Sequence, residues 1–387
     1  MIQRLDNTLY QKGEVLSIER IFIKKSTFMK ITNIMITGTG SYIPPNIITN
    51  QDFSNNQFYD AQGKAFDSSH EEIAEKFKSI TGIEERRYVD PDLVASDIGA
   101  IAGRLAIEDA GVDMETIDQV IVAHNFGDVK SETIQTDILP SLASRVKYKL
   151  GIKSPACVAY DVLFGCPGWV QGIIQANAFI RAGMAKRCLV VATETLSRVL
   201  DMHDRDSMIF ADGAGACVVE AVEGDKEEGI IGMEAGTWTE DEAYYLFMGK
   251  SNDEEADPSV RYIKMHGRKI YEFALTKVPQ AMKDCLDKAG ASIYDVKKIL
   301  IHQANEKMDR EIIKRLFRLY KERNIPEGIM PMSIHKLGNS SVSTVPTLLD
   351  QIRKGTSAEK HELNKGDLIL LASVGAGMNV NAIAYRY

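Results

Sequence analysis

One cysteine of this chain lies at a turn that could make it a nucleophile. Cys166 follows an apolar run that ends at Phe164, and the sequence G-C-P-G carries it into a helical pattern that starts at Trp169. A thiol at the N-terminus of a helix faces the positive end of the helix dipole, which is expected to lower its pKa. The alternative is a buried structural cysteine, and this is how we interpret the other four: Cys157, Cys188, Cys217 and Cys285.

Two further side chains could act on a carbonyl oxygen. His302 ends the apolar run of I-L-I-H-Q-A-N, so its imidazole could be directed into a cavity at a strand end, with Asn305 close behind. Asn339 lies in L-G-N-S-S, which by itself is a turn signal. A solvated histidine and an ordinary loop asparagine are the alternatives.

A glycine-rich segment, S-V-G-A-G-M-N at residues 373–379, follows the last apolar strand. It has no G-x-x-x-x-G-K pattern and no following helix, so it does not resemble a phosphate-binding loop. Main-chain N–H groups around Gly375 and Gly377 could instead form part of an oxyanion hole. The other glycine-rich segment, D-G-A-G-A at residues 212–216, leads into a strand and predicts close main-chain packing.

Composition excludes several classes of function. The 387 residues carry a formal net charge of −8 and are 44% hydrophobic, which is typical of a globular protein and argues against nucleic acid or an anionic membrane as the main partner. The five cysteines form no C-x-x-C pair, which argues against zinc and dithiol motifs. The longest uncharged stretches contain glycines and side-chain amides, which argues against membrane-spanning helices. No signal peptide is evident. We therefore expect a cytoplasmic enzyme without a metal.

Apolar strands alternate with long amphipathic helices along most of the chain, which predicts an α/β fold with sheets buried on both faces. Residues 100–123 and 279–302 align without gaps at an offset of 179, and each copy has a helix ending in Ala-Gly followed by a strand. This repeat predicts two similar halves packed about a pseudo-twofold axis. His302 occupies the position that Ala123 has in the first copy, so only one half carries chemistry there.

The chain is predicted to divide into four segments. A leader at residues 1–28 could be disordered, and residues 29–222 form an N-terminal half that carries the cysteine. An acidic connection follows at residues 223–258, and residues 259–387 form a C-terminal half that carries His302 and Asn339.

Taken together, the motifs resemble the β-ketoacyl-acyl-carrier-protein synthase III family of the thiolase superfamily. They occur in the family's order over about residues 31–387: G-T-G-S-Y-I-P, T-G-I-E-E-R-R, the Cys166 turn, F-A-D-G-A-G-A, H-Q-A-N, G-N-S-S and the terminal G-A-G. The resemblance implies a duplicated five-layer α/β/α/β/α sandwich, in agreement with the repeat.

The resemblance also implies roles for individual residues. Cys166 matches the nucleophile that takes an acyl group as a thioester, while His302 and Asn339 match the pair that binds the malonyl thioester and promotes its decarboxylation. The N–H groups of Cys166 and Ala376 match the oxyanion hole. The remaining implied substrate contacts are Phe210 near the malonyl pocket, Arg205 near the mouth of the pantetheine tunnel, Asn305, Gly375 and Gly377.

The same resemblance implies partners. Lys307, Lys314 and Arg315 match basic residues that meet acidic acyl carrier protein, and a basic stripe on an acidic protein would suit such a partner; a solvated helix face is the alternative. A homodimer is expected, with no bound cofactor, because the substrates travel on the phosphopantetheine of carrier protein or coenzyme A.

This sequence departs from the family pattern at three places that concern the substrate, one of which is the long polar segment at residues 126–137, where the family builds its dimer-contributed pocket wall. The usual Cys-small-Gly-Phe is C-P-G-W, so Pro167 and Trp169 could reshape the acyl pocket. The segment E-K-F-K-S-I at residues 75–80 lacks the tryptophan that stacks on adenine in many members, which leaves carrier protein as a possible acyl donor. The alternatives are a ketosynthase of a secondary pathway (resorcinol, aryl-polyene or polyketide), an acyltransferase or hydrolase on the same scaffold, and a silent carrier-binding subunit. The presence of both His302 and Asn339 argues against an acyltransferase or hydrolase, and the complete set of Cys166, His302 and Asn339 argues against a silent subunit.

Overall fold

Nine strands form one continuous sheet in the computed structural model, which describes residues 31–387; the leader predicted at residues 1–28 lies outside this range. Across the sheet they run in the order β5 (Val158–Val162), β4 (Gln119–Ala123), β6 (Arg187–Thr195), β7 (Asp212–Gly224), β1 (Ile31–Tyr42), β8 (Gly229–Thr237), β13 (Asn379–Arg386), β12 (Leu368–Gly375) and β11 (Val296–Ile301). Two small hairpin-like sheets complete the strands: β2 (Asn46–Thr49) with β3 (Glu85–Tyr88), and β9 (Leu246–Gly249) with β10 (Tyr262–Met265).

The sheet consists of two halves with the same pattern of strand pairing. From β4 through β6 and β7 to β1, the three pairings are parallel, antiparallel and antiparallel. The pairings from β11 through β12 and β13 to β8 follow the same sequence of directions. A single paired position, Ile34 with Gly229, joins the halves. The repeat read from the sequence is therefore a structural duplication, since β4 and β11 belong to the two aligned segments.

The described part of the chain contains eight helices. They are α1 (His70–Thr81), α2 (Ala95–Ala110), α3 (Leu142–Leu150), α4 (Gly168–Arg181), α5 (Gly267–Lys288), α6 (Glu306–Leu319), α7 (Ile334–Leu337) and α8 (Thr344–Lys354). Of these, α1 and α7 pack in a separate apolar cluster beside the small sheet of β2 and β3. None of the helices within residues 31–387 is long and apolar enough to cross a membrane.

Three apolar cores show how the layers stack. Residues of α2 and α3 pack on the outer face of the first half-sheet, and residues of α5 and α6 pack on the outer face of the second. Between the half-sheets, α4 and α8 share one core with strands of both halves, and Trp169 is buried in it. Because successive residues of a strand point to opposite faces, a strand covered on both sides must be apolar throughout. The fold is the five-layer thiolase-like sandwich that the resemblance implied.

The predicted acidic connection at residues 223–258 needs correction. It contains β8, a full member of the second half-sheet, so that half begins before residue 259. It also contains β9, whose pairing with β10 is held in place by a buried Lys264, which donates to Asp201 and Asp204 at 2.6 and 2.9 Å. The acidic side chains lie mostly in turns. Because they dominate the composition of this segment, the strands between them were not recognised in the sequence.

Candidate active site

Two main-chain segments meet beside Cys166 because each has a glycine at the point of contact. The turn after β5 passes through Gly165, with a φ of +63°, before α4 begins at Gly168. A Cβ on Gly165 would lie 2.7 Å from the Ala376 nitrogen, and a Cβ on Gly375 would lie 2.5 Å from the Cys166 nitrogen. Neither glycine can therefore carry a side chain without displacing the other segment. This contact brings the main chains of Cys166 and Ala376 together.

Ser341 links the sulfur of Cys166 to the two other predicted catalytic side chains. Its Oγ donates to Cys166 Sγ at 3.3 Å, and its main-chain N–H donates to Asn339 Oδ1 at 2.8 Å. The imidazole of His302 faces the main chain of the same serine. Ser341 has a φ of +54°, which is uncommon for a residue with a side chain. Cys166, His302 and Asn339 thus surround one residue that our sequence analysis did not single out.

The two loops that carry His302 and Asn339 are fixed by main-chain hydrogen bonds. His302 directly follows β11, and its N–H donates to the Ala372 carbonyl at 2.9 Å. Asn339 donates its N–H to Ile209 at 3.0 Å and accepts from Ala211 at 2.8 Å, which places it beside Phe210. The backbones of both residues are consequently fixed by hydrogen bonds within the protein and need no substrate to position them.

Burial sets the protonation of the thiol and the imidazole. It lowers the pKa of His302 to about 4, so the imidazole is neutral at physiological pH. It raises the pKa of the Cys166 thiol to about 11, with a smaller opposing effect from the Ser341 hydroxyl. The direction is opposite to the lowered thiol pKa that we predicted from the helix N-terminus, because loss of hydration is the largest influence on this thiol.

Two more polar side chains of the site were missed from the sequence. Asn125, two residues after β4, donates from Nδ2 to Ser341 Oγ at 3.1 Å and to Oε1 of the buried Glu194 near the end of β6. Burial raises the pKa of the Glu194 carboxyl to about 8. Their positions at strand ends could have identified them, because β4 and β6 are parallel neighbours and end at the same edge of the sheet as Cys166.

An apolar cavity of about 200 Å³ opens next to Cys166. Phe210 lies in its wall. Residues of β9 and β10 also line it, although we had predicted a surface connection for much of that segment. The apolar lining consists of Phe126, Leu196, Phe210, Leu246, Phe247, Met248 and Ile263. Its polar atoms come from Asn125, Ser341 and the thiol itself. The cavity therefore suits an aliphatic group attached to the Cys166 sulfur.

Of the remaining predicted substrate contacts, Arg205 and Asn305 lie away from Cys166, and Gly377 lies in the loop of Ala376 without lining this cavity. Arg205 and Asn305 line a second cavity of about 500 Å³ rather than the one at Cys166. Asn305 Oδ1 accepts from the Met308 N–H at 3.0 Å and so caps α6, while the Arg205 guanidinium stacks 5.4 Å from the Phe66 ring centroid. Gly377 packs against the Asn379 side chain, which donates to the Ala376 carbonyl at 2.6 Å and braces this loop.

The basic residues of α6 are exposed but share an acidic neighbour. Glu311 lies 3.8 Å from Lys314, 3.6 Å from Arg315 and 3.4 Å from Arg318, and Arg315 also donates to the Leu275 carbonyl. Lys307 is exposed in the first turn of the helix. Several cations around one carboxylate leave this helix face with a net positive charge.

Comparisons with known proteins agree with this architecture. The chain matches the family description "3-Oxoacyl-[acyl-carrier-protein (ACP)] synthase III" over residues 160–238 and its C-terminal counterpart over residues 286–387. The β-ketoacyl-[acyl-carrier-protein] synthase III 1 of Bacillus anthracis is 32% identical over 358 residues, covering 92% of this chain and 99% of the relative.

Solved structures give the same result. The crystal structure of 3-oxoacyl-[acyl-carrier-protein] synthase III from Aquifex aeolicus VF5 is 29% identical with a TM-score of 0.72, covering 92% of this chain and 100% of that one. The priming β-ketosynthase from the R1128 polyketide biosynthetic pathway is 29% identical with a TM-score of 0.73, and the match covers 92% and 96% of the two chains.

Proposed function

The chain belongs to the β-ketoacyl-acyl-carrier-protein synthase III family of the thiolase superfamily, and from this premise we propose that it transfers an acyl group to Cys166 and condenses it with malonyl-acyl-carrier protein. The observation that supports this proposal best is the grouping of Cys166, His302 and Asn339 around Ser341. A nucleophile and two polar side chains are the groups that acylation and decarboxylation require.

In the first half-reaction the Cys166 thiol attacks the carbonyl carbon of an acyl thioester. The C–S bond to the carrier breaks, and the proton of the thiol ends on the released pantetheine sulfur. The oxyanion of the tetrahedral intermediate would be held by the N–H groups of Cys166 and Ala376, whose segments touch through Gly165 and Gly375. Storing the acyl group on the protein splits the condensation into two easier steps.

In the second half-reaction His302 and Asn339 bind the thioester oxygen of the malonyl group. Breaking the bond to the carboxylate releases carbon dioxide and leaves the electron pair as an enolate, whose oxygen two neutral donors can stabilise in a water-poor pocket. The neutral imidazole that burial enforces suits this role. The enolate carbon then attacks the acyl-Cys166 carbonyl, and the sulfur leaves with the electron pair of the broken bond.

The proposal is tested by mixing the protein with malonyl-carrier protein and a panel of acyl-coenzyme A and acyl-carrier-protein donors. We expect acylated protein by intact mass, carbon dioxide release and a β-ketoacyl product. An acyltransferase on this scaffold would give acylated protein without carbon dioxide release. The absence of any condensation product with every donor would contradict the proposed function. A priming role in a polyketide-type pathway is a second candidate, supported by the similarity to the R1128 priming ketosynthase.

We also propose that the basic face of α6 binds acidic carrier protein. Replacing Lys307 and Lys314 together by glutamate should raise KM for malonyl-carrier protein about tenfold and weaken its salt dependence, with kcat nearly unchanged, because exposed charges act mainly on encounter. The KM for an acyl-coenzyme A donor should change much less. Lys186→Glu, in the turn before β6, is the matched control; an equal effect from it would contradict a specific docking face.

A homodimer is proposed from the free edge of the sheet. β5 is the outermost strand of the first half-sheet, and apolar residues at both of its ends are exposed, Val158 at 57% and Leu163 at 61%. An unpaired edge with apolar neighbours is a hazard for a monomer and is explained if two copies pair there. Sedimentation equilibrium should give twice the mass of one chain, and a monomer at micromolar concentration would contradict this arrangement.

A further inference from the structure

The active site contains a buried carboxyl group that the mechanism above does not use. Glu194 on β6 is only 2% exposed, and the partner of its Oε1 is the Asn125 amide rather than a basic side chain. A carboxyl group in such a place is expensive to bury unless it has a defined task or stays neutral.

A chain of hydrogen bonds connects this carboxyl to the nucleophile. Asn125 donates from Nδ2 to both Glu194 Oε1 and Ser341 Oγ, and an amide nitrogen has one hydrogen for each. Because the Ser341 oxygen accepts from Asn125, its own hydrogen remains available for Cys166 Sγ at 3.3 Å. Glu194 therefore reaches the sulfur through two intervening residues.

The direction of this chain depends on which way the Asn125 amide faces. Rotating an asparagine side chain by 180° exchanges its donor nitrogen and its acceptor oxygen. An acceptor at Glu194 favours the orientation with Nδ2 toward it. Without that acceptor, the Asn125 oxygen could face Ser341, and the serine hydroxyl would then donate to Asn125 instead of to the sulfur.

We propose that Glu194 is a positioning residue, which holds the Asn125 amide so that the Ser341 hydroxyl donates to the sulfur of Cys166. The hydrogen bond from Ser341 stabilises the thiolate that acylation needs. The inference depends on the proposed function only in that Cys166 is the nucleophile.

The protonation of Glu194 fits this task. Burial raises the pKa of its carboxyl to about 8, with a further contribution from the charge of Asp212, while hydrogen bonds from Asn125 oppose the shift. The carbonyl oxygen of the neutral acid still accepts from the Asn125 amide, so Glu194 can orient Asn125 without placing a full negative charge near the thiol. The titratable groups that face it are Cys166 from the turn before α4 and Asp212 from β7, whose charge Arg198 partly offsets. His302 lies on the other side of Ser341 and is neutral.

The test is the rate at which iodoacetamide alkylates Cys166 at pH 7.5, followed on the Cys166 peptide by mass spectrometry. Glu194→Leu should slow alkylation about tenfold, corresponding to the loss of one hydrogen bond to a charged group. Glu194→Gln should stay within about threefold of the wild type, because its carbonyl oxygen can accept the same amide hydrogen. A purely structural role would not separate these two variants.

A double-mutant cycle decides whether the effect runs through the serine. Ser341→Ala should slow alkylation as much as Glu194→Leu, and the double variant should be no slower than Ser341→Ala alone. A Glu194→Leu variant as reactive as the wild type, or a double variant slowed by the product of both effects, would overturn the proposal. If Glu194→Leu does not fold, Asn125→Asp, which removes the amide donor, should show the same slowing and again none beyond Ser341→Ala.

Alkylation requires neither an acyl donor nor a carrier protein, so its outcome is independent of the condensation assay. If the variants show this pattern of alkylation rates while the wild-type protein makes no condensation product, the proposed function is contradicted and the role of Glu194 stands. The reverse pair of results would overturn the role of Glu194 alone.

Discussion

Replacing Cys166 by alanine is expected to abolish acylation of the protein and to reduce condensation on the order of 10⁴-fold or more, since Cys166 is the cysteine that lines the cavity. Intact-mass measurement after incubation with an acyl donor shows directly whether the protein is acylated. The sulfur borders a cavity rather than a closely packed core, so the fold and its thermal unfolding midpoint should change little.

Cys285→Ala is the matched control for this experiment. Cys285 is a buried cysteine on α5 and packs in the outer core of the second half-sheet, away from the cavity. The Cys285→Ala variant should still become acylated at Cys166. Acylation that persists in Cys166→Ala, or that disappears in Cys285→Ala with the fold intact, would show that the nucleophile has been assigned to the wrong cysteine.

Asn339→Ala is expected to separate the two half-reactions. Loss of one oxyanion-type donor should lower the rate of malonyl decarboxylation about 10² to 10³-fold, while acylation of Cys166 stays within a few-fold of the wild type. Carbon dioxide release from malonyl-carrier protein and intact mass with an acyl donor measure the two steps separately. Asn46→Ala, at an exposed asparagine that contacts Asp90, is the control and should affect neither.

One structural detail decides how the result for Asn339 is interpreted. Asn339 Oδ1 accepts from the Ser341 N–H, so the substitution also removes a constraint on the residue that contacts the sulfur. The iodoacetamide rate of Cys166 in Asn339→Ala measures that side effect. Equal loss of acylation and decarboxylation, with normal alkylation, would contradict the division of roles between Cys166 and Asn339.

The residues that we propose to react were recognisable in the chain itself because their local settings are short. A cysteine in G-C-P-G between an apolar strand and a helix, a histidine at a strand end and an asparagine after Gly338 each lie within a few residues of the feature that marks them. The duplication was visible for the same reason, since Gly111 and Gly290 end equivalent helices in the left-handed conformation that glycine favours. Long apolar strands and amphipathic helices then determined the class of fold.

What the chain could not reveal depends on contacts between distant segments. Ser341 lies 175 residues from the sulfur that it contacts, and Asn125 lies 216 residues from Ser341. The direction of the Cys166 pKa shift follows from how deeply the thiol is buried, which no local motif specifies. The β9–β10 wall of the cavity was hidden because its strands are short and lie among acidic turns.

The sequence by itself therefore determined the nucleophile candidate, the duplicated α/β plan and the family, since these depend on local patterns and their order. Only the tertiary structure decided which polar groups face the sulfur, whether they are charged and which residues line the cavity beside Cys166. The physical reason is that hydration and hydrogen-bond partners are set by packing between the two halves, and α4 and α8 bring those halves together in a shared core.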